Sequence, residues 1–309
     1  MTSAHTIAVL GAGALGAAYA SRFYEMDASC ISFIAAGERA ERLKRDGVIV
    51  NHRHYAIPVL SRADSAPYPD LIIVALKHHQ LAESLPLLNN RVGENTVILS
   101  VMNGLDSETM IAAAYGADKV LYTIAVGIDA QRSGHIVNYS KLGTLIFGEA
   151  DNTVLTDRVR RTQALLDRAG IAYTTPPDML RMLWWKFMVN VGINQVSAIL
   201  RAPYGVFQTS THAQALMEAA MREVITLAQA AHINLTLDDI PAWYTVLNTL
   251  HPQGKTSQLQ DIEAGRPTEV DIFAGKVIAL GTTYGIPTPV NEVLLHAIKA
   301  IENSVNTSG

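Results

Sequence analysis

Three polar side chains recur every four residues within one otherwise apolar segment of the chain: Lys186, Asn190 and Asn194. In an α-helix, at about 100° per residue, this spacing places them in a narrow arc of one face, which Ser197 extends. A helix that is apolar on its other sides is predicted to be buried, so its polar face must meet partners or a cavity. The lysine is then either a catalytic cation or one half of a structural ion pair, with asparagines that hold loops.

A buried cation of this kind would suit a reaction that builds negative charge on an oxygen atom, of which the reduction of a carbonyl group is one example. Hydride addition to a carbonyl carbon builds negative charge on the oxygen, which a cation in a water-poor site stabilises well. A lysine such as Lys186 can also deliver the proton that completes the alcohol. Asn190 and Asn194 would add neutral hydrogen-bond donors without adding charge.

Such a reaction needs a hydride donor, and a glycine motif near the N-terminus predicts one. Residues 6–10 form a short apolar run that predicts a buried strand, a helical stretch extends to about residue 25, and residues 29–35 predict a second strand. This order is typical of a dinucleotide-binding unit, in which the three glycines serve the turn, the approach to the pyrophosphate and helix packing. The predicted cofactor loop is Gly11, Ala12, Gly13, Ala14, Leu15 and Gly16.

The end of the second predicted strand bears on which dinucleotide binds. An acidic residue there would hold the ribose 2′-hydroxyl of NAD, but Ala35 and Ala36 occupy this place. Arg39, with Arg42 one turn later, could instead hold the 2′-phosphate of NADP. We therefore favour NADP(H), with NAD(H) left open. The alternative is that these charges belong to a solvated helix start.

Two further predicted strands end on polar residues. Residues 70–76 lead into Lys77, and residues 96–102 lead into Asn103 and Gly104. Because the carboxyl ends of parallel strands share one edge of a sheet, we expect Lys77 and Asn103 to lie beside the glycine loop. His78 and His79 follow Lys77, but adjacent residues point apart and no cysteine or carboxylate stands nearby, so no metal site is predicted.

The pattern changes at Pro176-Pro177. Before it, residues 120–128, 142–147 and 171–173 predict strands and residues 156–169 a helix. After it, strand signals vanish and helices are predicted at 180–200, 212–231, 237–250, 257–263, 268–284 and 291–304. We predict an α/β Rossmann-like dinucleotide-binding domain, residues 1–177, followed by an all-α substrate and catalytic domain, residues 178–309. The active site is expected in the cleft between them.

Two segments of the helical half carry further candidate site residues. Ser257 and Asp261 are four residues apart and should share a helix face. Thr268 and Asp271 resemble a capping box, which places Glu269 in a helix first turn. An acidic side chain there is favoured by the helix dipole, which alone would account for Glu269.

Composition and charge indicate which partners and which cellular compartment to expect. The 309 residues carry a net charge of −4 without long runs of one sign, which gives no reason to expect nucleic acid or an anionic membrane as partner. No stretch approaches the roughly 20 apolar residues that span a bilayer. The single cysteine, Cys30, excludes an internal disulfide and fits a reducing compartment. We expect a cytoplasmic protein.

Taken together, these motifs resemble the ketopantoate reductase (2-dehydropantoate 2-reductase) family. The resemblance rests on the glycine loop, Leu76-Lys77, Asn103-Gly104 and three blocks of the helical half, in the family's order over nearly the whole chain. The more specific blocks are Trp185-Lys186-x-x-x-Asn190-x-x-x-Asn194, Thr256-Ser257-x-Leu259-Gln260-Asp261 and Thr268-Glu269-Val270-Asp271.

The resemblance implies NADPH-dependent reduction of a 2-oxo acid to a 2-hydroxy acid. In the reaction that gives the family its name, ketopantoate is reduced to pantoate on the route to pantothenate and coenzyme A. It implies that Lys186 is the general acid, with Glu269 as its partner. It further implies that Asn103, Asn190, Asn194 and Ser257 contact substrate, and that Lys77 and Asn103 contact the cofactor. A homodimer is a further expectation.

This chain also departs from the family pattern, at Ala36, at Asp106 and in residues 200–205. A paralogous dehydrogenase acting on another 2-oxo acid or a 3-hydroxy acid therefore stays open. A glycerol phosphate would require arginines near the substrate, for which only Arg201 and Arg266 are candidates. A non-catalytic NADPH-binding redox sensor is a third alternative, although it has no need of Lys186.

Overall fold

The computed structural model describes residues 5–61, 64 and 66–306. The chain divides into two compact units, Met1–Leu180 and Arg181–Gly309. The division falls three residues beyond the position that Pro176-Pro177 suggested, within the first turn of a helix.

The first unit is built on an eight-stranded sheet whose central strands are parallel. Its strands are β1 Ile7–Leu10, β2 Ile31–Ile34, β5 Val59–Leu60, β6 Leu71–Val74, β7 Val97–Ser100, β8 Val120–Val126, β11 Thr144–Gly148 and β12 Tyr173–Thr174. Their order across the sheet is β12-β11-β8-β7-β6-β1-β2-β5, and β11 runs antiparallel to β8. All of them except β5 were predicted from the sequence; the observed strands are shorter, and β11 and β12 each end one residue beyond the predicted bounds.

Both faces of this sheet are covered, as expected of parallel strands made of unbroken apolar runs. On β1, Ile7 and Val9 belong to one core cluster, with Tyr19 and Phe23 of the first helix. Their neighbours Ala8 and Leu10 belong to a second cluster on the opposite face. The helices of this unit are α1 Ala14–Met26, α2 Gly37–Asp46, α3 His78–Ser84, α4 Ser107–Tyr115 and α5 Asp157–Arg168.

A second, smaller sheet in this unit was not predicted. It has the order β4-β3-β10-β9, with β3 Val48–Val50, β4 Arg53–Tyr55, β9 Gln131–Ser133 and β10 Ile136–Asn138. Its strands have three residues each, from the apolar β3 to the polar β9, and are too short to show a periodic pattern from which strands could be predicted. The small sheet packs against α1 through β3 and β10.

The second unit is helical throughout its regular structure. Its helices are α6 Met179–Val189, α7 Gln195–Leu200, α8 Tyr204–Thr209, α9 Thr211–Ala230, α10 Asp239–Leu247, α11 Ser257–Glu263, α12 Ala274–Tyr284 and α13 Pro289–Asn306. The short α8 was not predicted. The predicted start at residue 268 was wrong for α12, because a separate 3-10 turn, Val270–Ile272, precedes it. The predicted fold class, α/β followed by all-α, is confirmed.

Within the described residues, no helix combines the length and apolar character that crossing a bilayer requires.

Candidate active site

The glycine loop, residues 11–16, connects β1 to α1 as the sequence predicted. Gly11 has a φ of +107°, and a Cβ there would lie 2.4 Å from the carbonyl oxygen of Ala75. At Gly16 a Cβ would lie 1.8 Å from the carbonyl oxygen of Gly11. Neither position has room for a side chain, because Gly11 packs against the residue that follows the neighbouring strand β6, and Gly16 in the first turn of α1 packs against the loop itself.

Gly13 is different, because the described residues leave room for a side chain beside it. Among the described residues, a Cβ at Gly13 would meet only the carbonyl oxygen of Ala75, at 3.8 Å. Gly13 is the N-cap of α1 and no side chain caps the helix, so its first N–H groups are available to an anion. A helix N-terminus also carries a partial positive charge. This cradle fits the pyrophosphate of a dinucleotide.

Lys77 and Asn103 lie at the same sheet edge as the glycine loop. Strand β6 pairs with β1 and β7 pairs with β6, all parallel, and the two residues follow the carboxyl ends of β6 and β7. Both side chains are half-buried. The structure therefore brings together three segments that are distant in sequence and that were predicted to bind the cofactor.

A buried polar network that was not predicted lies on either side of Asn103 in sequence. Ser100 donates to the Ser107 hydroxyl at 2.8 Å, and Ser107 donates to the Glu108 carboxylate at 2.8 Å. Glu108 also accepts from the backbone of Thr123 at 3.4 Å. Because buried polar groups are costly to leave unpaired, this chain of bonds fixes the end of β7 against the start of α4.

Arginines gather beside the glycine loop. Arg39 lies in the first turn of α2, where the sequence placed it. Burial lowers its pKa below the ordinary value, and the positive charge of Arg42 adds to the effect. The structure adds Arg132 of β9, which donates a hydrogen bond to the carbonyl oxygen of Ala12. No sequence signal marked Arg132, since it lies 120 residues from its partner.

In the second unit, Lys186, Asn190 and Asn194 lie on one continuous helical segment, residues 179–200, called here the polar helix. The prediction of a regular α-helix is wrong within it, because Asn190–Asn194 form a π-helical turn between α6 and α7. Lys186 and Asn190 are half-buried, and Asn194 is 7 % exposed. Widened turns of this kind are frequent at functional sites.

The wide turn is held by Gln195, which is fully buried. Its amide nitrogen donates to the Val191 carbonyl at 2.8 Å and to the Asn291 side chain at 3.1 Å. Its amide oxygen accepts from the backbone N–H of Ala274 at 3.0 Å, at the start of α12. Gln195 thus ties the π turn to α12 and α13, a role that its type alone did not reveal.

Ser197 belongs to the scaffold, although the sequence placed it on the polar face. Its hydroxyl donates to the Ala202 carbonyl at 2.7 Å and accepts from Thr256 at 3.1 Å. Thr256 also caps α11 by accepting from the backbone of Leu259 at 3.1 Å. This pair fastens the start of α11, and with it the exposed Ser257, to the end of the polar helix.

Two acidic residues from the predicted blocks have different surroundings. Asp261 is buried and pairs with Arg266, with Nε to Oδ1 at 2.9 Å, whereas Ser257 four residues earlier is exposed. The expected shared face is therefore divided between interior and surface. Glu269 is half-buried and immediately precedes the Val270–Ile272 turn, so it does not lie in the first turn of α12. Because Arg266 is already paired, it is a weaker candidate for binding a phosphate substrate.

Over the described part of the chain, no group of three or more histidine, cysteine, aspartate or glutamate side chains is placed to hold a metal ion.

Comparison with known proteins matches both units to one family. The model described as ketopantoate reductase PanE/ApbA matches residues 7–152, and its C-terminal counterpart matches residues 178–302. The 2-dehydropantoate 2-reductase of Aquifex aeolicus is 24 % identical over 302 residues, covering 95 % of this chain and 96 % of that protein.

Two solved structures show the same fold. D-mandelate dehydrogenase, solved with NADH and anilino(oxo)acetate, has a TM-score of 0.86 at 21 % identity, covering 97 % of this chain and 99 % of that one. A dimeric ketopantoate reductase from Staphylococcus aureus has a TM-score of 0.79 at 20 % identity, with the same coverage of both chains. The predicted family is confirmed by the two family models: this chain belongs to the ketopantoate reductase family.

Proposed function

We propose that this protein reduces a 2-oxo acid to a 2-hydroxy acid with NADPH, and that ketopantoate is the substrate to test first. The observation that carries the proposal is the polar helix, which holds Lys186, Asn190 and Asn194 on a segment distorted into a π turn. The relatives named 2-dehydropantoate 2-reductase support the choice of substrate.

The glycine loop, Lys77, Asn103 and Arg39 are the residues proposed to hold the cofactor. The open space at Gly13 and the uncapped start of α1 fit a pyrophosphate. When bound, NADPH supplies the hydride that the carbonyl carbon accepts. The role of the protein is to position the reactants and to provide charge where the oxyanion develops.

Each role proposed in the reaction follows from the chemistry of the side chain. Lys186 stabilises the developing oxyanion and gives its proton to the carbonyl oxygen. Asn190, Asn194 and Asn103 donate hydrogen bonds to the oxo acid, and Ser257 donates to its carboxylate. Glu269 holds the ammonium of Lys186 in its charged form and in one orientation.

A second candidate function is NADH-dependent reduction of an aromatic 2-oxo acid. It is favoured by the fold shared with D-mandelate dehydrogenase and by Trp185, which directly precedes Lys186. The Trp185 ring packs edge-on against Trp243, with centroids 6.4 Å apart. The arginines beside the glycine loop argue for NADPH and against this candidate.

The test follows NADPH and NADH absorbance with ketopantoate, pyruvate and phenylglyoxylate. We expect the highest kcat/KM for ketopantoate with NADPH. A preference for phenylglyoxylate with NADH would establish the second candidate instead. No turnover with any acid, despite tight NADPH binding, would favour a sensor and overturn the proposed reaction.

The role of Glu269 has its own test. The Glu269→Ala variant is expected to lose activity while its circular dichroism and melting temperature stay close to those of the wild type. If the variant unfolds, Glu269 serves the local structure before α12 and its catalytic role is refuted. Glu263→Ala is a matched control, because Glu263 is exposed and pairs with Lys255 at 2.7 Å on the surface.

We also propose that the protein is a homodimer and that it is located in the cytoplasm. The dimeric relative from Staphylococcus aureus supports a homodimer, which light scattering on the purified protein would test. A cytoplasmic location stays a prediction, which fractionation of cells would test.

A further inference from the structure

Arg132 joins two parts of the first unit that the sequence keeps far apart. It lies on β9, the edge strand of the small sheet. Its Nη1 donates to the carbonyl oxygen of Ala12 inside the glycine loop, and its Nε donates to the Gly134 carbonyl at 2.7 Å. Nη2 has no hydrogen-bond partner among the described residues. Two bonds therefore fix the guanidinium beside the cofactor loop and leave one edge of it available.

The charged neighbours of Arg132 have the same sign. Its pKa is lowered by burial and by the positive charges of Arg39 and Arg42, and Arg39 is affected similarly by Arg42. An acid does lie near Arg42, namely Asp46, but its carboxylate is engaged by Arg45 at 2.7 and 2.8 Å. We call Arg39, Arg42 and Arg132 the arginine cluster.

Holding like charges together is unfavourable, more so where burial reduces screening by water. A bound dianionic phosphate would replace this repulsion between the arginines by a net attraction, because guanidinium groups bind phosphate oxygens with paired, charge-assisted hydrogen bonds. Arg39 follows β2, where dinucleotide folds bind the adenosine ribose, and Arg132 is fixed to the glycine loop.

We propose that Arg132 is a specificity-determining residue for the cofactor, contributing the third arginine of a site for the 2′-phosphate of NADP(H). By holding Ala12 it sets this site beside the glycine loop. The inference rests on the proposed function, since it assumes that the glycine loop binds a nicotinamide dinucleotide.

A merely structural role for Arg132 makes a different prediction. If Arg132 only clamps the β9–β10 hairpin to the loop, its loss would weaken binding of all adenine nucleotides alike. If it contacts the 2′-phosphate, its loss would affect only the ligands that carry this group. The discriminating quantity is therefore a ratio of two affinities.

The experiment is calorimetric titration of the whole protein with 2′,5′-ADP and with 5′-AMP, which differ by the 2′-phosphate alone. For Arg132→Gln we expect affinity for 2′,5′-ADP to fall about 10-fold or more, and affinity for 5′-AMP to change less than about 3-fold. Arg132→Lys keeps one cation but not the planar fork, so an intermediate loss is expected. It also serves if Arg132→Gln does not fold.

Arg53→Gln is the matched control. Arg53 also belongs to the small sheet and also ties it to α1, through Glu25 at 3.2 Å. Because that charge is already balanced, the ratio of affinities should stay as in the wild type. The same loss of 2′,5′-ADP and 5′-AMP binding in Arg132→Gln, or no loss of either, would overturn the inference.

The outcome separates this inference from the proposed function. If the wild type binds both ligands equally and reduces 2-oxo acids with NADH, the 2′-phosphate site is refuted and the reductase stands. If the wild type binds neither NADPH nor NADH, the proposed function itself fails.

Discussion

The glycine loop and the polar helix are built by opposite means. The geometry of the loop is set by its backbone, and it depends on the absence of side chains at positions such as Gly13 and Gly16. The polar helix is made of side chains, and its geometry depends on buried partners such as Gln195. The shape of the loop is set mainly by close backbone packing, against Ala75 and within the loop itself, whereas the polar helix depends on hydrogen bonds between the Gln195 side chain and other helices.

This difference implies a division of labour that mutations can break. Changes in the loop should alter how tightly the cofactor binds, and changes in the polar helix should alter the rate of reaction or the stability of the second unit.

Lys186→Met should have the largest effect. Removing the ammonium removes both the stabilisation of the oxyanion and the proton donor, so kcat should fall roughly 10²- to 10⁴-fold. NADPH affinity, measured by fluorescence titration, should stay within about 3-fold of the wild type, equivalent to less than ~1 kcal/mol. Lys299→Met is the control, because Lys299 is a surface lysine paired with Asp271 at 2.7 Å. Near-normal turnover of Lys186→Met would refute the general-acid role.

Gln195→Leu tests the support of the polar helix. It leaves the Ala274 N–H and the Val191 carbonyl unpaired in the interior, which should lower the free energy of unfolding by about 2–4 kcal/mol. Urea denaturation measures the loss, and Gln253→Leu at an exposed position is the control. A loss below ~1 kcal/mol would show that the π turn does not depend on this network.

Gly13→Ala tests the glycine loop, where we expect an effect on cofactor affinity and none on stability. The backbone of Gly13 has a φ of −76°, which alanine adopts freely, and the protein leaves space for the methyl group. Stability should therefore be unchanged, while NADPH affinity should fall roughly 10-fold or more because the methyl group occupies the place of the pyrophosphate. Gly275→Ala, also with ordinary contacts only, is the control. Unchanged NADPH affinity would show that the cradle is not the phosphate site.

Ser257 and Thr256 are neighbours at the start of α11 with different expected roles: Ser257 binds the substrate and Thr256 stabilises the helix. Ser257→Ala at an exposed position should leave stability within about 0.5 kcal/mol and raise the KM of the oxo acid roughly 10-fold. Thr256→Val should do the reverse, losing about 1–2 kcal/mol of stability through the cap and the bond to Ser197, with KM little changed. Equal effects of the two substitutions on KM would argue against the division.

The same contrast explains how far the sequence could predict the molecule. The glycine loop was predicted residue by residue, because sterics of the kind seen at Gly16 leave a direct mark on residue type. The shared sheet edge could be predicted because β1, β6 and β7 are unbroken apolar runs, which is typical of buried parallel strands. Lys77 and Asn103 were placed by this argument alone.

What escaped prediction depends on tertiary contacts. A π turn at Asn190–Asn194 leaves no periodic signal in five residues, and its partners Ala274 and Asn291 lie far along the chain. The small sheet has strands too short to show alternation, so Arg132 could not be connected with Ala12. The helix start at residue 268 was misplaced because Thr268 accepts from the backbone of Val270 at 3.3 Å at the start of a separate 3-10 turn, while the Asp271 carboxylate bonds to Lys299 at 2.7 Å.

The central claim is that the loop binds the cofactor and the polar helix carries out the proton chemistry. Single-turnover transfer from NADPH deuterated at the nicotinamide C4 position to the oxo acid tests it most directly, at saturating cofactor, with wild type, Gly13→Ala and Lys186→Met. We expect deuterium at C2 of the hydroxy acid, near the wild-type rate for Gly13→Ala and roughly 10²-fold or more slower for Lys186→Met. Equal rates for Lys186→Met and the wild type, or a slow rate for Gly13→Ala at saturation, would contradict the account.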